Sequence, residues 1–170
     1  MYIIEGADCV GKTNAAQRFA SKLGVEYIHF RKPEPTWTYL QHGLRQLAEH
    51  ENCVVDRFHL GALIYGMLMC NDEHARSDTL EGLRTVRDYL KDAALVIVMY
   101  DRNTAALVER LETEKRDQMF SAPRILSVNY AYRSIVGTPW TDLAYDVADG
   151  WPADKLFNFW IAEHSRRGLG

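Results

Sequence analysis

The run GADCVGKT, residues 6–13, has the spacing G-x-x-x-x-G-K-[ST], and each residue type in it serves one chemistry, the holding of a polyphosphate. Gly6 and Gly11 let the backbone curl so that the N–H groups of Asp8, Cys9 and Val10 can point inward. Lys12 is long enough to reach the β- and γ-phosphates, and the hydroxyl of Thr13 is a ligand for Mg²⁺. Asn14 continues the first turn of a helix whose positive end completes the cradle. The pattern carries weight only where it joins a strand to a helix. Here MYIIE precedes it, and TNAAQRFASKL follows with Ala16, Phe19, Ala20 and Leu23 at helical spacing. A nucleoside triphosphate is the expected ligand.

Other residues could supply the rest of a transfer reaction. Asp56 and Arg57 end the apolar run CVV, and ligands of an open parallel sheet gather at the carboxyl ends of its strands. Arg57 could clamp a phosphate through paired N–H bonds. Asp56 could hold a Mg²⁺-bound water or orient a donor; the bland alternative is a helix cap beside a surface arginine. Arg110 and Arg116 flank LETEK and do not share one face of a straight helix. They could meet one ligand if the segment closes as a lid over the transferring group, or they belong to a solvated charged helix. Asp8 either faces a second substrate, accepting from a sugar hydroxyl, or only shapes the turn. Phe58, Tyr65, Tyr130 and Tyr132 are candidates to stack on a base, against the alternative that they are core. Arg31, Arg84 and Arg87 are further phosphate-contact candidates, and His59 is either a pocket residue or a buried neutral one.

The elements that must position these residues alternate in type along the chain. Strands are expected at 2–4, 25–30, 53–55, 94–100 and 143–147, and helices at 13–23, 38–49, 58–69, 79–90, 104–112, 121–136 and 152–164. Residues 31–37, RKPEPTW, are interrupted by two prolines, and 71–78 read as a polar turn. ALVIVMY, 94–100, is apolar without alternation, as a strand covered on both faces must be. Such alternation implies a parallel sheet with helices on both sides.

Size and composition bound the class. A chain of 170 residues, 47% of them hydrophobic, fits one domain, 1–170, with a real core. The net charge of −3 and the lack of a basic tail argue against a nucleic-acid partner. Cys9, Cys53 and Cys70 are too scattered for a disulfide framework or a zinc site. No basic-then-apolar leader opens the chain and no apolar run is long enough to span a bilayer, so a cytoplasmic setting without membrane is expected. No Asn-Lys-x-Asp element for guanine occurs, which argues against a GTPase switch, while the small size, the few spare elements and an arginine-bearing helical segment argue for a small-molecule kinase.

On these residues the chain resembles the thymidylate kinase family. EGADCVGKT (5–13) is similar to that family's E-G-x-D-x-x-G-K-[ST], and VVDRF (54–58) to its D-R-[YF] motif. LVERLETEKRDQMF (107–120) resembles its lid, Pro33-Glu34-Pro35 its Glu-Pro after the second strand, and 144–161 its final strand and helix. The resemblance implies the three-layer α/β/α P-loop kinase fold with a five-stranded parallel sheet and a lid at about 104–120. It implies transfer of the γ-phosphoryl of ATP, with Mg²⁺, to a deoxynucleoside monophosphate, dTMP or dUMP. Lys12 and the loop amides from Gly6 to Asn14 would hold ATP, Thr13 and Asp56 the metal, and Asp8 the acceptor's 3′-hydroxyl. Arg57 would hold the acceptor phosphate, Arg110 and Arg116 would close over the donor, and Arg31, Glu34, Phe58, Arg84 and Tyr132 would line the acceptor side. A homodimer through the apolar 60–70 helix is also implied.

Three features depart from that family. Cys9 stands where an arginine or glycine is usual, 31–52 is short, and His59 replaces a small or hydroxyl residue. Deoxynucleoside kinases are the alternative resemblance. They share the loop, the lid arginines and the Glu-Pro, with the glutamate, here Glu34, as base toward a neutral 5′-hydroxyl. Their motif after the third strand is usually Glu-Arg-Ser, where this chain has Asp56-Arg57-Phe58. A protein that binds ATP without transferring phosphate would lack part of the set Lys12, Thr13, Arg57 and the lid, and all of it is present.

Overall fold

The computed structural model of the chain describes residues 1–30, 37–50, 52–69, 73–113 and 121–169. Five strands, β1 (Tyr2–Gly6), β2 (Glu26–His29), β3 (Cys53–Asp56), β4 (Leu95–Tyr100) and β5 (Leu143–Asp146), form one parallel sheet in the order β2-β3-β1-β4-β5. The helices are α1 (Lys12–Leu23), α2 (Trp37–Ala48), α3 (His59–Met69), α4 (Glu73–Leu90), α5 (Thr104–Thr113), α6 (Ala122–Ser134) and α7 (Ala153–Arg166).

β1 is the central strand and is buried along its whole length, as is nearly all of β4. That is why neither alternates in the sequence. β2 lies at the edge and keeps partial exposure. Side chains of β1 point to opposite faces in turn. Tyr2 meets Phe19 of α1 edge-on, and Phe19 packs on Phe157 and Trp160 of α7, so α1 and α7 cover one face. α3 and α6 pack on the other face, with α4 against α3 and α2 against α4. The result is the expected three-layer α/β/α arrangement.

One local expectation changes. Residues 71–78 were expected as a polar turn, but α4 begins at Glu73. The run 73–79, EHARSDT, contains no glycine or proline, so polarity alone does not interrupt the helix. The apolar stretch of α3 reflects burial: Leu60, Ala62, Leu63, Ile64 and Tyr65 lie in the core, and Met67 and Leu68 emerge toward its end. Pro123 lies in the first turn of α6, where a missing N–H costs nothing. Among the described residues no helix is long and apolar enough to cross a membrane.

Candidate active site

The glycine turn joins β1 to α1 at the carboxyl edge of the central strand. Gly6 has a φ of 156°, and a Cβ there would be driven into the carbonyl oxygen of Met99 on the paired strand β4. Only glycine lets β1 and β4 close at that point. Cys9 (φ 63°) and Gly11 (φ 81°) are both left-handed, which curls the loop into a concavity of the kind that suits anions. Gly11 caps α1, and the first turn of that helix holds no acidic residue. Its leading N–H groups are thus left for an anion. Lys12 is almost wholly buried. Burial pulls its ammonium pKa down, while the negative groups of Asp56, Glu5 and Cys9 push back.

Asp8 turns its carboxylate to both cations of the site. Oδ1 is paired with the guanidinium of Arg57 and lies 3.6 Å from Nζ of Lys12. Arg57 is itself left-handed, with φ 67°. A non-glycine residue in that region costs about 1–3 kcal/mol and persists only where its surroundings enforce it. The enforcement comes from β1: Arg57 N–H donates to the carbonyl of Ile4 (3.0 Å), and the next amide, of Phe58, donates to the carboxylate of Glu5 (2.9 Å).

Asp56 is fully buried on the α1 side of the sheet. Its Oδ2 accepts from the Tyr27 hydroxyl (3.0 Å) and is 2.9 Å from Nδ1 of His29, the residue that faces it in register on β2. Its Oδ1 has no partner among the described residues, nor has Nε of Arg57. Buried polar atoms are nearly always bonded in the working state of a protein, so both atoms suit a ligand or a metal-bound water. Among the described residues no group of three or more His, Cys, Asp or Glu could hold a metal alone.

Arg110, from α5, donates through Nε to the carbonyl of Cys9 (3.1 Å) and pairs with Asp101 at the end of β4. Asp101 is clasped in turn by Asn129 of α6. The Asn129 Oδ1 accepts from Asp101 N–H (3.0 Å), and its Nδ2 donates to the Asp101 carbonyl (2.8 Å). α5, the described part of the segment expected as a lid, is thereby tied to the glycine turn through Arg110.

Gly6, Asp8, Cys9, Val10, Gly11, Lys12, Thr13, Asn14, Asp56, Arg57 and Arg110 are thus gathered at one edge of the sheet. Arg31, Glu34 and Arg116 lie outside the described residues. Arg84 is exposed on α4 and makes no bond to this cluster among the described residues, and Arg87 stacks over Trp140. Phe58 and Tyr132 are placed in the interior. Phe58 packs on Phe30, Tyr39 and Gly43, and the Tyr132 hydroxyl donates to Glu5 (3.2 Å). His59 is buried and neutral, since burial pushes its pKa down to about 3. Sequence reasoning missed Glu5, Tyr27, His29, Asp101 and Asn129. Only Glu5 had a local signal, as the first residue of the motif at 5–13.

The loop, its lysine, Arg57 and Arg110 lie together at the carboxyl edge of the sheet. No protein-family model matches the chain, and no curated protein matches it. Solved structures do. The YorR protein of Bacillus subtilis, solved with phosphorylated GDP, is similar over 97% of this chain and 96% of its own, at TM-score 0.74 and 21% identity. A deoxyadenosine kinase from M. mycoides with bound dATP is similar over 97% and 100%, at 0.64 and 16%. A gluconokinase from Sinorhizobium meliloti is similar over 97% and 91%, at 0.61 and 16%. At these identities the likeness is one of fold: the chain has the three-layer α/β/α P-loop kinase fold with a five-stranded parallel sheet. None of these three bears the name thymidylate kinase, so the finer family resemblance gains no support from them.

Proposed function

We propose that the protein is an ATP-dependent kinase that phosphorylates the 5′-hydroxyl of a nucleoside. The observation that carries this reading is the pairing of Asp8 with Arg57. The arginine best placed to clamp an acceptor phosphate already holds an internal carboxylate and is largely enclosed. A neutral acceptor leaves that pair intact, whereas a monophosphate must displace Asp8 or add charge beside it. Two of the similar folds are named for acceptors without phosphate, deoxyadenosine and gluconate.

On this reading the amides of the glycine turn and Lys12 cradle the ATP phosphates and stabilise charge as it develops. Thr13 would hold Mg²⁺ directly and Asp56, through its free Oδ1, would take a metal-bound water; the ion neutralises phosphate charge when bound. Arg110 fixes the turn and, with Arg116, meets the donor. Asp8 orients the acceptor sugar. A neutral hydroxyl needs a base, and Glu34 would take the proton as the hydroxyl oxygen bonds to γ-phosphorus and the bond to ADP breaks.

The test is incubation with ATP, Mg²⁺ and each deoxynucleoside, with products identified by mass. A nucleoside monophosphate is expected. ATP binding without product from any nucleoside would overturn the reading. Phosphorylation of a monophosphate is the second reading, favoured by Asp56-Arg57-Phe58 standing where nucleoside kinases usually have Glu-Arg-Ser.

A further inference from the structure

We infer that Glu5 is a positioning residue that holds Arg57 in its site-facing conformation and ties the start of the glycine turn to the acceptor side. The inference rests on the kinase reading above.

Glu5 precedes Gly6 at the end of β1 and is fully buried on the α3 face of the sheet. Its Oε1 accepts from the amides of Phe58 (2.9 Å) and Leu60 (2.9 Å). The Gly61 amide also donates to the carboxylate, and Tyr132 of α6 donates to Oε2 (3.2 Å). Leu60 and Gly61 are the second and third residues of α3, whose amides have no partner within the helix. A serine or aspartate just before a helix normally accepts from those amides. The residues just before α3 are Arg57 and Phe58, and neither can do so.

Glu5 therefore caps α3 from the central strand, 55 residues away from Leu60 in sequence. The consequence falls on Arg57. Its own N–H is held by the carbonyl of Ile4, and the following amide by Glu5. Two consecutive residues of β1 thus fix both sides of a left-handed, non-glycine arginine. If Glu5 releases Phe58, Arg57 is free to relax to an ordinary conformation, and its guanidinium leaves Asp8. The same carboxylate receives α6, the helix that also clasps the end of β4 through Asn129. One buried group so connects the glycine turn, the arginine that pairs with Asp8 and the helix α6.

A buried carboxylate is a costly way to cap a helix, and burial raises its pKa to about 7 against the pull of its four donors. A merely structural cap could be neutral. Glu5→Gln keeps an acceptor for Phe58 and Leu60 but loses the charge, and Glu5→Ala removes both.

The experiment measures steady-state kinetics of the full chain for nucleoside and ATP separately, together with amide exchange at Phe58, Leu60 and Gly61 in the absence of nucleotide. Glu5→Ala is expected to raise the acceptor KM about tenfold or more while the ATP KM stays within about threefold. Exchange at the three amides should quicken by about tenfold, with β4 unchanged. Glu5→Gln should shift the acceptor KM in the same direction by less, and it serves alone if Glu5→Ala does not fold. Equal change in both KM values, or an unchanged acceptor KM with faster exchange, would reduce Glu5 to a structural cap and overturn the inference. If the wild-type chain transfers phosphate to no acceptor, the kinase reading fails by itself. Loosening of the Arg57 guanidinium in Glu5→Ala, read by side-chain NMR, would then still support the hold on Arg57, and an unchanged guanidinium would overturn it.

Discussion

The carboxylate of Asp8 pairs with the guanidinium of Arg57, 49 positions further along the chain, and the same oxygen lies 3.6 Å from the ammonium of Lys12. One acidic residue of the glycine turn thus bridges the cation of the donor loop and the cation at the end of β3. Asp8→Asn leaves the shape and removes the charge. Arg57 is then free to attract an anionic acceptor. The expected result is a preference shifted from nucleoside toward monophosphate by about tenfold or more in the ratio of kcat/KM values, roughly the effect of one charge-assisted contact. An unchanged ratio would mean that Asp8 does not govern acceptor charge.

Lys12→Ala should lower turnover by about a thousandfold or more, because a preorganised cation in a water-poor site is worth several kcal/mol to a developing phosphoryl charge. The folded state should survive, since the change removes a buried ammonium whose protonation burial already disfavours. Circular dichroism and single-turnover transfer together check this. Near-normal turnover in the folded variant would remove Lys12 from the chemistry.

Gly43 lies on the face of α2 that meets the ring of Phe58, closer than an added Cβ allows. In an exposed helix, Gly→Ala gains about 1 kcal/mol. Here the ring must move, and overpacking costs about 1–3 kcal/mol, so the second effect wins. Gly43→Ala should lower the urea midpoint. Because Phe58 follows Arg57, it should also raise the acceptor KM. A higher midpoint would show that the Phe58 ring yields freely.

Glu5 and His59 give opposing pH dependences. Burial raises the Glu5 pKa from 4.5 to about 7 and lowers that of His59 from 6.5 to about 3. The folded chain binds more protons at Glu5 between about 4.5 and 7, so stability from this group rises as pH falls. The unfolded chain binds more protons at His59 between about 3 and 6.5, so stability from this group falls as pH falls. The two nearly cancel from about pH 4.5 to 6.5. Nδ1 of His59 lies 3.8 Å from Glu5 Oε1, and the other groups around Glu5 are Tyr132, Tyr65, Arg57 and Lys12. His59→Asn should unmask the Glu5 slope, with stability rising by up to about 1.4 kcal/mol per unit of acidification. Glu5→Gln should show the reverse slope. Urea titrations across pH 4.5–7 measure both, and parallel profiles in the two variants would contradict the assignment.

What the sequence makes legible is what is written locally. The glycine turn declares itself because its residues are adjacent and its strand and helix flank it, and β4 because an apolar run without alternation has few other uses. Arg57 is found because the end of a parallel strand is where ligands gather. Glu5 is quoted as part of a motif, but its task depends on α3, and the amides it accepts belong to residues 53 and 55 positions away. His29 and Asp56 become neighbours only through the pairing of β2 with β3, a register that composition does not encode. Phe58 and Tyr132 have the chemistry to stack on a base. Their burial follows from the closeness of Gly43 and Glu5, which no spacing along the chain announces.

The most direct measurement supplies ATP and Mg²⁺ to an equimolar mixture of the four deoxynucleosides and their four monophosphates, with every product resolved by mass. A neutral acceptor beside an internally paired Arg57 predicts nucleoside monophosphates as the first products, formed by wild type and lost in Lys12→Ala. Diphosphates appearing first, with the nucleosides untouched, would contradict it and return the acceptor phosphate to Arg57.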